Sequence, residues 1–309
     1  MAAPHLVRPE GALPQDLNLS RRGVAGLFFG GFAAAALSAE AAPIKTDTVG
    51  LVTGDAVVST RNSQMPLYFA RPDRRGRNPV VIVVSEVFGV HEYIRDVCRR
   101  LAKSGYFAVA PAFFHRAGDP APLTNFDEIT KLVATATNEQ VMGDIAATLS
   151  WVRGQPNADG RRIGLTGFCW GGAVVWMAAA RFRDFRAGVA WYGRLDRPGP
   201  DNYLHAEQRP WPIDVAAQLN APVLGLYAGR DGGIPLESVE RMRAALRAAG
   251  KRGSDIVVYP GAQHGFHADY RGVHDPVAAE DGWRRLLDHL RRNGLNARAL
   301  APQPQRRAA

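Results

Sequence analysis

Apolar and polar positions change period several times along the chain, and each change marks an element. Residues 80–84 are five consecutive β-branched aliphatics, the pattern of a strand buried on both faces. Before them, residues 49–70 alternate between apolar and polar, with polar interruptions, which predicts a hairpin or two. After them, Ile94, Val97, Cys98 and Leu101 recur at helical spacing, and Gly105 closes the helix. Residues 106–110 read as another strand, stopped by Pro111. Val141, Ile145, Leu149 and Val152 predict a helix over 138–153, then a strand over 162–166 and a helix over 171–180. Strands over 187–191, 223–227 and 256–259 follow, with helices over 237–249 and 278–292. Strands alternating with helices predict βαβ units, and so an α/β fold with a mostly parallel central sheet and helices on both faces. No second compositional regime interrupts residues 45–295, which read as one domain. Residues 296–309, rich in Ala, Pro, Gln and Arg, read as a flexible C-terminal tail.

The first 41 residues stand apart. Arg21 and Arg22 lead into an uncharged, Gly/Ala-rich apolar stretch over 24–39, then Ala39-Glu40-Ala41. That stretch is shorter than the ~20 residues of a membrane-spanning helix. The order of polar leader, arginine pair, apolar core and small-residue exit predicts an export signal. It resembles the twin-arginine type, although Val24-Ala25 stand where bulkier apolar residues are usual. The precursor's expected partner is therefore the twin-arginine export machinery. The mature protein is expected outside the cytoplasm, in the periplasm, without stable membrane anchoring.

Composition adds less. The 38 Lys+Arg against 29 Asp+Glu give a formal charge of +9, but the arginines are scattered or lie beside acids, as over 239–243. That is a solvated basic surface, with no nucleic-acid partner implied. Two cysteines are too few for a disulfide framework. Cys98 falls on the apolar face of a helix and reads as packing.

Cys169 needs a different account. Gly167-Phe168-Cys169-Trp170-Gly171 lies where a strand passes into a helix. The spacing is that of the nucleophile elbow, with cysteine in the usual serine position. The glycines leave room for strand and helix to approach, and the helix N-terminus favours a thiolate. In α/β-hydrolases an acid and then a histidine follow the nucleophile. Asp231, in Gly229-Arg230-Asp231-Gly232-Gly233, is the next acid at a strand end, and His264, in Gln263-His264-Gly265-Phe266, the next histidine. Asp231 alone also reads as a helix cap. His91, His115, His205, His267 and His274 compete with His264, but none shares its position a few residues beyond a strand and after such an acid.

Over roughly residues 49–290 the chain resembles the dienelactone hydrolases (carboxymethylenebutenolidases), a cysteine-using branch of the α/β-hydrolases. The resemblance rests on Glu86-Val87-Phe88-Gly89-Val90, Ala110-Pro111 with Arg116, Gly167-Phe168-Cys169-Trp170-Gly171-Gly172, Gly229-Arg230-Asp231 and His264-Gly265-Phe266. It implies Cys169 as nucleophile, His264 as base and Asp231 as its orienter. Glu86 matches a glutamate that controls the thiol's ionisation, as proton acceptor or partner of a nearby cation. The backbone N–H groups of Val87 and Trp170 would form the oxyanion hole. Arg116 matches an arginine that holds the substrate carboxylate. The family's second such arginine has no clean counterpart, leaving Arg271 or His267 as substitutes.

The implied activity is hydrolysis of a small-molecule lactone or activated ester through a thioester. No cofactor is implied, since no His/Cys cluster has metal-ligand spacing and no glycine fingerprint follows the first strand. A neutral-ester hydrolase of the same family is the alternative within the class. A non-catalytic binding protein on the same fold is disfavoured because all three triad residues are present. A thiol-redox role is disfavoured by the lack of a Cys-x-x-Cys pair.

Overall fold

The structure is a computed structural model that describes residues 43–200, 205 and 209–301. The expected export segment, residues 1–41, lies outside the described residues.

The sheet is built around its most apolar strands. In β3 (Asn78–Val84) and β4 (Phe107–Pro111) every residue is buried, which requires cover on both faces and neighbours on both edges. They pair in parallel, Ile82 opposite Val109, and β3 pairs on its other side with β5 (Ala158–Phe168), Ile82 opposite Leu165. Beyond β5 lie β6 (Phe185–Trp191), β7 (Val223–Ala228) and β8 (Asp255–Tyr259), all parallel. On the other flank, β1 (Leu51–Ser59) and β2 (Gln64–Pro72) form an antiparallel hairpin, with β2 antiparallel to β4. The eight-stranded order is β1-β2-β4-β3-β5-β6-β7-β8. This is the expected α/β-hydrolase architecture, a mixed and mostly parallel sheet with interleaved helices.

Helices α1 (Glu92–Lys103), α2 (Phe126–Ala134), α3 (Asn138–Arg153), α4 (Trp170–Arg181), α5 (Leu236–Ala248) and α6 (Pro276–Arg292) connect or follow the strands. Helix α3 has a reciprocal capping box between Thr137 and Gln140 and buries Val141, Ile145, Leu149 and Val152. Helix α2 was not expected. Its start signal is Asn125, whose side chain accepts from the N–H groups of Asp127 and Glu128, but only Ile129 and Val133 are buried behind it.

Two boundaries depart from expectation by more than a residue or two. Strand β5 begins four residues early, because Ala158 and Asp159 pair with Asn78 and Pro79 before the register shifts and Ile163 meets Val80. The start of the expected tail is also held in place. Leu300 N–H donates to the Lys103 carbonyl at 2.8 Å, and Arg74 and Arg162 donate to the carbonyls of Arg298 and Asn296 at 2.8 and 2.9 Å. Such backbone bonds leave no periodic trace in the side chains.

Because β3 to β8 run parallel, their C-terminal ends share one rim. The segments carrying Glu86, Cys169, Asp231 and His264 all leave the sheet there, where parallel sheets gather chemistry.

Just past α6, Leu295 is fully buried and packs beside Gly164, while its carbonyl accepts from the Tyr106 hydroxyl at 3.1 Å. Leu295→Ala is expected to lower unfolding free energy by about 2–5 kcal/mol. Val277→Ala, at a 78% exposed position, should change it by less than about 0.5 kcal/mol. Urea denaturation of the two variants checks both.

Candidate active site

The turn from β5 to α4 is sterically tight. A β-carbon on Gly167 would lie 2.3 Å from the Gly171 carbonyl oxygen, and one on Gly171 would lie 2.4 Å from that of Val84. No real β-carbon tolerates such contacts, so these two positions admit only glycine. Between them Cys169 adopts φ 54° and ψ −117°, a conformation costly for a residue with a side chain. It is fixed by the bond from its N–H to the Trp191 carbonyl (3.0 Å) and by its own carbonyl, which accepts from Gly172 and Ala173 at 2.9 and 3.3 Å. Helix α4 starts at the next residue, Trp170, and is apolar and buried almost throughout. Cys98 is fully buried, and burial pushes its thiol well above the usual range.

Asp231 and His264 meet across the ends of β7 and β8. Asp231 Oδ2 lies 2.7 Å from His264 Nδ1, and both side chains are 1% exposed. Its Oδ1 accepts from the N–H groups of Gly233 and Ile234 at 2.8 and 3.0 Å. The cap-like role and the orienting role therefore fall to different oxygens of one carboxylate. Burial opposes a charged His264, but the Asp231 carboxylate and the Cys169 thiolate outweigh it and hold the imidazole well above its ordinary pKa. Its Nε2 is buried and makes no well-aligned hydrogen bond among the described residues, leaving it for reacting groups.

Glu86 is 3% exposed. Its Oε2 pairs with His91 Nε2 at 2.9 Å, and Oε1 accepts from the Tyr270 hydroxyl at 3.2 Å. Both carboxylate oxygens are thus engaged by side chains. The N–H groups of Val87 and Trp170 meet no backbone acceptor among the described residues, as an oxyanion hole requires.

Two expected substrate contacts are placed elsewhere. Arg116 donates in bidentate fashion to Asp144 at 2.8 and 2.7 Å, and also to Thr60 at 3.2 Å. The Asp144 side chain is fully buried, so it needs this cation, and Arg116 has no fork to offer a substrate carboxylate. His267 is a core residue. Its Nδ1 lies 2.6 Å from the Tyr93 hydroxyl, its ring packs 4.5 Å from that of Trp191, and burial holds it well below its ordinary pKa. It is not a substrate ligand. Arg271 lies closer to the site: its charge acts on Tyr192 and on Tyr270, the partner of Glu86.

Other histidines are engaged locally. His115 Nδ1 contacts the Ala112 carbonyl at 2.9 Å, and His205 Nδ1 that of Pro198 at 2.9 Å. Sequence reasoning named His91 only as a competitor of His264 and did not single out Tyr192 or Tyr270. Tyr192 follows β6 on the same rim, so its place at a strand end was the available signal.

Residues 65–294 match the Dienelactone hydrolase family. A candidate carboxymethylenebutenolidase of Methylorubrum extorquens is 46% identical over 287 residues, covering 92% of this chain and 97% of the relative. A candidate 2-oxo-3-(5-oxofuran-2-ylidene)propanoate lactonase of Bradyrhizobium is 30% identical over 247 residues, 80% of this chain and 96% of that one. The crystal structure of a candidate dienelactone hydrolase from Klebsiella pneumoniae superposes with a TM-score of 0.72 at 43% identity, covering 78% of this chain and 98% of that one.

Removing Arg116 would strand a buried carboxylate. Arg116→Ala is expected to lower stability by about 3 kcal/mol or more. The ratio of kcat/KM for an anionic ester to that for a neutral ester of equal leaving-group quality should not change. Denaturant unfolding and that pair of substrates provide the measurements.

Proposed function

Because the chain belongs to the dienelactone hydrolase family and is thus a carboxylic ester hydrolase, we propose that it cleaves lactones or activated esters through a Cys169–His264–Asp231 triad. One observation carries this reading. A cysteine sits at φ 54° between strand and helix, and its side chain acts on a buried imidazole whose Nδ1 is held by a carboxylate.

The sulfur of Cys169 gives its proton to His264 Nε2 and attacks the carbonyl carbon. The developing oxyanion accepts from the N–H groups of Val87 and Trp170, and the carbon–oxygen bond to the leaving group breaks to form a thioester. An enolate is a good leaving group, which suits a thiolate nucleophile, and it carries away the proton held on His264 Nε2, returning the imidazole to its neutral form. Water then loses a proton to His264 and attacks the thioester, and the thiol is regenerated with release of the acid. Asp231 keeps the imidazole in the tautomer and orientation that serve both steps.

The commitment of Arg116 to Asp144 favours a substrate with no carboxylate at that position. A neutral-ester or neutral-lactone hydrolase is therefore the specific form of the activity we favour. For residues 1–41 we propose twin-arginine export to the periplasm, on the strength of Arg21-Arg22 and the apolar stretch after them.

Cys169→Ala and His264→Ala should each lower kcat by at least about 10³-fold. Asp231→Asn should impair it strongly, and all three should keep the fold by circular dichroism. A screen of enol lactones, aryl esters and lipophilic esters reads the activity, and turnover surviving in Cys169→Ala would refute the nucleophile assignment. Lysine at both 21 and 22 should trap the precursor in the cytoplasm, as read by cell fractionation. Undiminished export would mean general secretion.

A further inference from the structure

Among the described residues two non-glycine backbones have positive φ, Cys169 at 54° and Tyr192 at 37°. They end adjacent parallel strands, β5 and β6, and the bond from Cys169 N–H to the Trp191 carbonyl joins them at 3.0 Å. A left-handed backbone is unfavourable for a residue with a bulky side chain, and such strain gathers where function requires a fixed geometry. The elbow explains it at Cys169. At Tyr192 a glycine would remove it, yet a tyrosine is present.

The side chain of Tyr192 carries a second penalty. It is 0% exposed, and its hydroxyl makes no well-aligned hydrogen bond among the described residues, although the Tyr93 hydroxyl lies near enough to pull its pKa down in part. A buried polar atom left unpaired is destabilising and rare in folded proteins. The ring is locked in place, packing 5.0 Å from that of His264 and 5.2 Å from that of Phe266. Strain, burial and an unmet donor thus coincide on one residue beside the candidate nucleophile.

The charges around the hydroxyl identify what it awaits. Burial, then the Glu86 carboxylate, then the Cys169 thiolate hold the phenol well above its ordinary pKa, so it remains protonated and able to donate. The Glu86 oxygens are already engaged by His91 and Tyr270. A neutral thiol is a weak acceptor, whereas a thiolate is a strong one.

We propose that Tyr192 donates a hydrogen bond to the ionised sulfur of Cys169, a bond that forms when the thiol proton leaves for His264 Nε2. In this step the S–H bond breaks, the electron pair stays on sulfur, and the Tyr192 O–H bond remains intact. The role rests on Cys169 as nucleophile and adds the residue that stabilises its reactive form. Once the sulfur is acylated it is again a poor acceptor and the bond lapses. Tyr192 therefore favours the free thiolate over both the thiol and the thioester.

The other titratable and charged groups packed here are Glu86 after β3, Tyr93 on α1, and His264, Tyr270 and Arg271 after β8. The Tyr93 hydroxyl is already bonded to His267 at 2.6 Å. A Tyr192→Phe substitution leaves all of them in place.

The test is the pH profile of iodoacetamide alkylation of Cys169 in the full chain, where Cys98 is buried and silent. Tyr192→Phe should be alkylated roughly tenfold more slowly near neutral pH and at the wild-type rate once the thiol is fully ionised. A 3,5-difluorotyrosine at position 192, a more acidic donor of nearly the same shape, should speed alkylation near neutral pH and does not depend on the Phe variant folding. Superimposable profiles for wild type and Tyr192→Phe would overturn the proposal, as would equal slowing at every pH, the mark of a packing defect. Alkylation reads the thiol and not turnover, so failure of the nucleophile reading, seen as hydrolysis by Cys169→Ala, is a separate result.

Discussion

Backbone contact between β3, β5 and α4 is the constraint on which the site depends. Gly167 and Gly171 bring main-chain atoms to distances that a β-carbon would forbid. That approach forces the intervening residue to turn back on itself. The same contact fixes three things at once: the direction of the Cys169 side chain, the N–H of Trp170 and the origin of α4. Such a strained turn is tolerable only in a rigid setting, and all of β3, residues 163–168 of β5 and residues 170–179 of α4 are buried. The apolar centre of the sheet thus holds the reactive turn in shape.

Around this centre the polar groups divide by whether their bonds are complete. Arg116 with Asp144, and Arg100 with Asp96, are buried or part-buried ion pairs already satisfied within the fold. His267 belongs with them, a neutral imidazole sealed among aromatic rings. His264 Nε2 and the hydroxyl of Tyr192 are buried without a well-aligned hydrogen bond, and both lie beside Cys169. Residue type alone does not separate these groups. A guanidinium that resembles a recognition element is structural here, while a tyrosine with no conspicuous motif lies at the centre.

Elements with a long apolar repeat were legible in the sequence, and Asn138–Arg153 was read to its termini because its buried face recurs over four turns. The short α2 has only two buried positions, too few for a period to show. The ordered start of the C-terminal segment was hidden for another reason, since it is held through carbonyls and an N–H that every residue possesses. At the site, the positions of Cys169, Asp231 and His264 followed from glycine spacing and strand ends. The partner of Arg116 did not, because Asp144 lies 28 residues further on and on a different element. Nor did the unmet hydroxyl of Tyr192, which is a property of what surrounds a side chain and not of its type.

The chain's two thiols also differ in what oxidation can do to them. Cys98 is sealed in the core, and no other cysteine exists to reach Cys169. A sulfenic acid formed at Cys169 therefore has no resolving thiol within the chain to trap it as a disulfide, the step that usually stops oxidation at a reversible stage. Further peroxide carries it to the sulfinic acid, which cannot attack a carbonyl. The fold that presents one uncluttered thiol to an ester also leaves that thiol without an internal means of repair.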